Sequence, residues 1–154
     1  MVELRRASEV DCPVIHRIQV KAFAPLLEKY QDVDSNPAAE SVAHIERRMA
    51  QSFTDYYLIS LENEAIGVLR VCDFGEECRI SPICILPEFQ GNGYAKTAMG
   101  LAEAMYPEAK RWTLDTIEQE EKLCRLYESV GYHRTGETRH IKDGMDLVFY
   151  EKGV

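Results

Sequence analysis

The sequence predicts an α/β (α+β) layer fold with a mixed central sheet of about seven strands flanked by four helices. Three observations lead there. Strand-like and helical runs alternate along the whole chain in the order β-α-α-β-β-β-α-β-α-β-β. Three consecutive strand-like runs have connections so short that they must pair antiparallel, whereas helical runs separate the next strands. The 154 residues are 45% hydrophobic, with no repeat and no Pro/Gly/Ser linker, which suits a single domain over 1–154.

The elements follow in order. Val2–Arg6 alternates apolar and polar residues as a half-buried strand does. Ser8 and Asp11 form a Ser-x-x-acid helix start, and Val14, Ile15, Ile18 and Phe23 continue at helical spacing. Pro25 and the polar stretch Glu28–Ser35 read as a loop. Asn36-Pro37 then supplies a cap and a first-turn proline for a second helix running to about Gln51. The meander strands are Tyr56–Glu62, Ala65–Asp73 and Glu77–Leu86. A third helix spans Gly93–Met105, ended by Pro107, and a fifth strand spans Trp112–Thr116. The fourth helix, Glu118–Val130, puts Leu123, Leu126, Tyr127 and Val130 on one face before Gly131. His133–Ile141 and Met145–Glu151 flank an Asp143-Gly144 turn and read as a hairpin.

Composition excludes several classes of function. The net charge of −8 disfavours an electrostatic grip on nucleic acid or anionic lipid, so neither partner is expected. No apolar run reaches the roughly 18 residues of a membrane span, and the first residues lack a signal core, so a cytoplasmic protein is expected. Five cysteines without a CxxC pair point to free thiols, with neither a disulfide framework nor a metal site.

The segment Cys84–Lys96 carries the most chemistry. A strand leads into a glycine-rich turn that opens a helix, which leaves backbone N–H groups of the first turn without carbonyl partners. Gly91 and Gly93 remove side chains that would hold an anion away, and the helix dipole adds partial positive charge, so the turn can bind phosphate. An ordinary strand-to-helix turn has the same glycine spacing. Pro82 sits inside a strand that the meander makes central, where a missing N–H implies a bulge or a break in pairing.

Gln90-Gly91-Asn92-Gly93-Tyr94-Ala95 resembles the Gln/Arg-x-x-Gly-x-Gly/Ala signature of the GNAT superfamily of N-acetyltransferases. Ile85-Leu86-Pro87 resembles the Val-x-Pro that precedes it, and Leu126–Tyr132 resembles the family's Leu-Tyr-Glu-Lys-x-Gly-Phe segment. The resemblance covers essentially the whole chain. It implies a GNAT fold with a strand splay at the cofactor site, acetyl-CoA as cofactor, and acetyl transfer to a primary amine by direct attack in a ternary complex. The acceptor would be a small-molecule or peptide amine.

By the same resemblance, Gln90, Gly91, Asn92, Gly93, Tyr94, Ala95 and Lys96 hold the cofactor's pyrophosphate, and the main chains of Ile83 and Ile85 hold its pantetheine arm. Tyr127 corresponds to the acid that protonates the departing thiolate. A phenol near pKa ~10 can serve a thiol near ~8.5, although its spacing alone also suits a core aromatic. Glu76 and Glu77, at the start of a strand, are candidates for the base, and the acceptor end is expected at Phe23, Tyr30 and Asp32. One departure stands out: many relatives carry a cofactor-touching Asn where this chain has Glu120. Exposed strand edges permit a homodimer. The rival readings are a catalytically silent acyl-CoA-binding module and a nucleotide-binding module.

Overall fold

The computed structural model describes residues 1–154. Its strands are β1 (Val2–Arg6), β2 (Thr54–Leu61), β3 (Glu64–Asp73), β4 (Glu77–Ile85), β5 (Arg111–Ile117), β6 (His133–Lys142) and β7 (Met145–Gly153). The helices are α1 (Cys12–Tyr30), α2 (Val42–Met49), α3 (Tyr94–Met105) and α4 (Glu121–Ser129). All seven strands share one sheet in the order β1-β2-β3-β4-β5-β7-β6. It is antiparallel except at β4 and β5, so the sheet is mixed as the element order requires.

The two faces of the sheet are packed differently. Ile15 and Ile18 of α1 and Ile45 of α2 pack on Tyr56, Leu58, Val68 and Cys84. On the opposite face, Ala98, Met99 and Ala102 of α3 and Cys124 and Tyr127 of α4 pack on Leu69, Ile80, Ile85, Trp112 and Leu114. All five cysteines are buried free thiols. No helix is long and apolar enough to cross a membrane.

Three local expectations are corrected. The chain stays helical through Pro25 to Tyr30, where a loop was expected. Proline removes one helical hydrogen bond, but the end of the helix is held from outside. Gln31 takes a left-handed cap and its amide donates to Leu27 and Glu28 carbonyls, while Lys142 donates to the carbonyls of Tyr30 and Gln31. The second helix is interrupted. Asn36 caps only a single turn over Pro37–Ala39, and Ser41 caps α2 afresh by accepting from the His44 amide. Helix α4 starts at Glu121 because the Glu118 amide is drawn to the Asp146 carbonyl of β7.

Pro82 marks a break as expected. Leu69 faces Ile83 and Val71 faces Ile80, so β4 has an extra residue opposite Arg70. The parallel rungs to β5 run Glu77 to Arg111, Cys78 to Trp112 and Arg79 to Thr113, then stop. Beyond Arg79 the two central strands separate.

Candidate active site

The gap between β4 and β5 is built from backbone. The Leu86 amide donates to the Ile66 carbonyl at 2.8 Å, so strand alternation turns the peptide groups of Ile83 and Ile85 the other way, toward the gap. Gln90 reaches back and donates its side-chain amide to the Ile85 carbonyl at 2.9 Å. The Asn92 side chain donates to the Phe89 carbonyl at 3.1 Å, folding the turn onto itself.

At the mouth of the gap, none of the amides from Gly91 to Lys96 donates to a protein acceptor. Gly91 and Gly93 have φ of +83° and +79°, and a Cβ added at either would meet nothing within 4 Å. The turn is therefore a backbone cradle open to solvent at a helix start. These are the features an anionic pyrophosphate requires, so the residues present fit a CoA-type ligand. Of the residues assigned to it, Tyr94 and Ala95 also pack on the core, and Lys96 is exposed on the first turn of α3.

Tyr127 shares its core cluster with Ile85, against which Ile83 also packs. Its ring lies edge-on to Tyr132 at 6.4 Å and tilted to Tyr150 at 6.3 Å. Burial pushes its hydroxyl well above the usual phenol range, and the Asp115, Cys84 and Cys124 charges add to the shift. The phenol is thus a neutral proton donor at working pH. Cys84 lies on the α1 side of the sheet, and burial pushes its thiol up to about 12, which removes it as a nucleophile.

The other assigned residues fall elsewhere. Glu77 pairs with Arg111, and Glu76 pairs with Lys110 at 3.4 Å while its carbonyl accepts from the Lys110 and Arg111 amides. Both lie where β4 and β5 are still joined, roughly 20 Å along the strand from Ile83. The structure does not bring them to the gap. Tyr30 is buried on Ile117 and Met145 and donates its hydroxyl to Glu120. Asp32 is buried and accepts from the Asn36 side chain at 3.2 Å. Phe23 packs at the edge of the α1 cluster.

The structure adds a pair that sequence reasoning missed. Asp115, two residues past the last parallel rung on β5, accepts from the Arg79 guanidinium on β4. The two are 36 residues apart, so no local pattern joins them. Arg79, but not Asp115, lines a cavity of about 270 Å³ over the joined part of β4 and β5, together with Arg111, Thr113, Thr135, Glu137 and Phe149, among others, and Arg111 is itself paired with Glu77 and Glu151.

The profile of the acetyltransferase (GNAT) family matches residues 19–132. No curated protein matches the chain by sequence. Solved structures do match by fold. The ribosomal-protein-S18-alanine N-acetyltransferase from Escherichia coli superposes with a TM-score of 0.81 at 14% identity, covering 100% of this chain and 94% of that one. The PaiA N-acetyltransferase from Thermoplasma acidophilum, in complex with coenzyme A, gives 0.81 at 15% identity over 100% and 99%. A spermidine N-acetyltransferase SpeG chimera of Vibrio cholerae and hSSAT gives 0.76 at 20% identity over 99% and 95%. The family profile spans both the glycine-rich turn and the Tyr127 segment, so the chain belongs to the acetyltransferase (GNAT) family.

Proposed function

We propose that this single domain, residues 1–154, transfers an acetyl group from acetyl-CoA to a primary amine by direct attack in a ternary complex. The carrying observation is the row of unpartnered amides from Gly91 to Lys96 at the mouth of the β4–β5 gap. Fold relatives crystallised with coenzyme A, or named for spermidine or ribosomal-protein alanine acetylation, support the same class of chemistry.

When bound, acetyl-CoA supplies an activated acetyl thioester. The amides of Gly91–Lys96 bind the pyrophosphate, with Gln90 and Asn92 shaping the turn. The gap-facing peptide groups of Ile83 and Ile85 orient the pantetheine arm, and a free N–H there stabilises negative charge on the acyl oxygen. Attack by the amine forms the C–N bond as the C–S bond breaks. The amine's proton passes to Asp115, the one carboxylate on β5, or to water, and Tyr127 donates its phenolic proton to the leaving sulfur. Glu76 and Glu77 would serve as base only through a chain of waters along β4.

A thiol-release assay with acetyl-CoA and a panel of primary amines tests the reading. Thiol release that depends on the amine, with the acetylated amine found by mass spectrometry, supports transfer. Tight CoA binding by calorimetry with no release against any amine would instead favour the silent acyl-CoA-binding module. ATP bound as tightly as CoA would favour a nucleotide-binding module.

A further inference from the structure

Arg70 of β3 is a buried charge whose hydrogen bonds all go to neutral groups. The residue is 7% exposed. Its Nε and Nη2 donate to Thr54 Oγ1 at 3.3 and 3.2 Å, and Nη2 also donates to Gln51 Oε1 at 3.1 Å. Its Nη1 donates to the Ser81 carbonyl at 2.8 Å. Glu40, the acid whose charge reaches it, already pairs with His44 and Arg48. Burial penalises the guanidinium charge and pulls its pKa down. The contact with Ser81 gives that buried charge a role.

Ser81 stands at the break in β4. The rungs Val71–Ile80 and Leu69–Ile83 leave Ser81 and Pro82 opposite Arg70, and none of the three has a rung partner. The extra residue reverses the direction of the peptide groups that follow it. At the start of β4 the Glu77 carbonyl accepts from the Phe74 amide at the end of β3, whereas the Glu76 carbonyl accepts from Lys110 and Arg111 on the β5 side. Odd-numbered residues therefore face β3 there. At the far end the Leu86 amide donates to the Ile66 carbonyl, so the even-numbered residues face β3 instead. An unbroken strand would carry the first pattern through and turn the peptide groups of Ile83 and Ile85 toward β3, away from the gap. With the extra residue they face the gap, and Ile80 and Ile83 pack on the same side of the sheet.

Such a break has to be held in place. Proline offers no N–H, and a bulge leaves its extra residue outside the ladder. Arg70 supplies a charge-assisted donation where the rung is missing, while Thr54 and Gln51 anchor the guanidinium from the β2 side.

We propose that Arg70 is a positioning residue for the acyl site: through the Ser81 carbonyl it fixes the extra residue of β4 at Ser81–Pro82, and so keeps the peptide groups of Ile83 and Ile85 turned toward the pantetheine arm. The inference rests on the cofactor half of the transfer reading above.

The test is calorimetry with two ligands, CoA and its phospho-ADP half, which keeps the pyrophosphate and lacks the pantetheine arm. Arg70→Met removes the donors and keeps an apolar stem. It should weaken CoA binding by roughly ten- to a hundredfold, the size of one lost charge-assisted contact, and leave phospho-ADP binding unchanged because the cradle at Gly91–Lys96 is untouched. Arg70→Lys keeps the charge without the fork that spans Ser81 and Thr54. It should show the same split at a smaller size, and it carries the test if the methionine variant does not fold. Equal loss of both ligands, or unchanged CoA affinity in the variant that carries the test, makes Arg70 a fastening of the sheet and overturns the inference. Wild-type binding of CoA no tighter than that of phospho-ADP overturns it as well, by removing the pantetheine contact. Both arms read binding alone, so an absence of thiol release would sink the transfer reading and leave this test standing.

Discussion

The Tyr30 hydroxyl donates to the carboxylate of Glu120, and Lys29 donates to the same oxygen at 2.7 Å, so the last turn of α1 is tied to the residue that caps α4. At the position where the family resemblance led us to expect an Asn, this chain has a carboxylate that fastens a helix. Burial alone would raise the Glu120 pKa, but hydrogen bonds from Lys29 and Tyr30 and the Lys29 charge outweigh it and hold the carboxyl below its ordinary 4.5.

Glu120→Ala should therefore cost about 1–2 kcal/mol at neutral pH, most of it from the buried Tyr30 hydroxyl because the Lys29 arm is solvent-screened. A depressed carboxyl contributes stability above its unfolded value of 4.5 and loses it as pH falls through the folded value. Urea denaturation should show the gap between wild type and variant at pH 7 and a smaller gap at about pH 3. A pH-independent difference would assign the loss to packing alone.

Local patterns made the frame of the molecule legible. The strand alternation, the Ser8–Asp11 helix start, the Asp143-Gly144 turn and the glycine-rich loop each occupy a few consecutive residues and reappear in the structure at nearly the expected bounds. Long-range closures were hidden. Lys142 holds the end of α1 across 112 residues, which lets the helix survive Pro25. Tyr30 meets Glu120 across 90 residues, so an aromatic that suits an acceptor wall is instead a fastening. Which end of β4 opens away from β5 depends on where parallel pairing stops, and that placed Glu76 and Glu77 at the joined end. Arg79 and Asp115 each look like a strand residue on an exposed face until the two strands are brought together.

Gly67 sets how closely β3 approaches β4. A Cβ there would stand 2.4 Å from the Cys84 carbonyl oxygen and 2.9 Å from Ile85 Cδ1. The nearer obstacle is backbone, which cannot swing aside, so Gly67→Ala must push β4 outward. The expected cost is about 1–3 kcal/mol by chemical denaturation, accompanied by weaker CoA binding because Ile83 and Ile85 move with the strand. Native stability in the alanine variant would show that the two strands have slack there.

Gly93 and Gly144 form a matched pair: both have φ of +79°, and neither Cβ position has an atom within 4 Å. Alanine at either should cost a similar amount, about 1 kcal/mol, for occupying the left-handed region. Only Gly93 lies on the proposed phosphate cradle. Gly93→Ala should lower CoA affinity by at least about tenfold, and Gly144→Ala should leave it unchanged, as read by calorimetry. Equal CoA affinities in the two variants would remove the loop from the site.

Tyr127→Phe separates chemistry from packing. The ring makes the contacts with Tyr132 and Tyr150, and phenylalanine keeps them, whereas the hydroxyl donates to no group in the protein. Stability should therefore be little changed, since the ring contacts are kept. If the phenol protonates the leaving sulfur, turnover at saturating acetyl-CoA and acceptor should fall by roughly ten- to a thousandfold with CoA affinity little altered, the mark of an interaction made in the transition state. The pH dependence adds a second check. Because burial pushes the phenol well above its ordinary value, it stays protonated throughout the working range. Any alkaline fall in the wild-type rate therefore belongs to another group and should persist in the variant. Full turnover in a folded Tyr127→Phe enzyme would leave this tyrosine as a core aromatic, with the thiolate protonated by water.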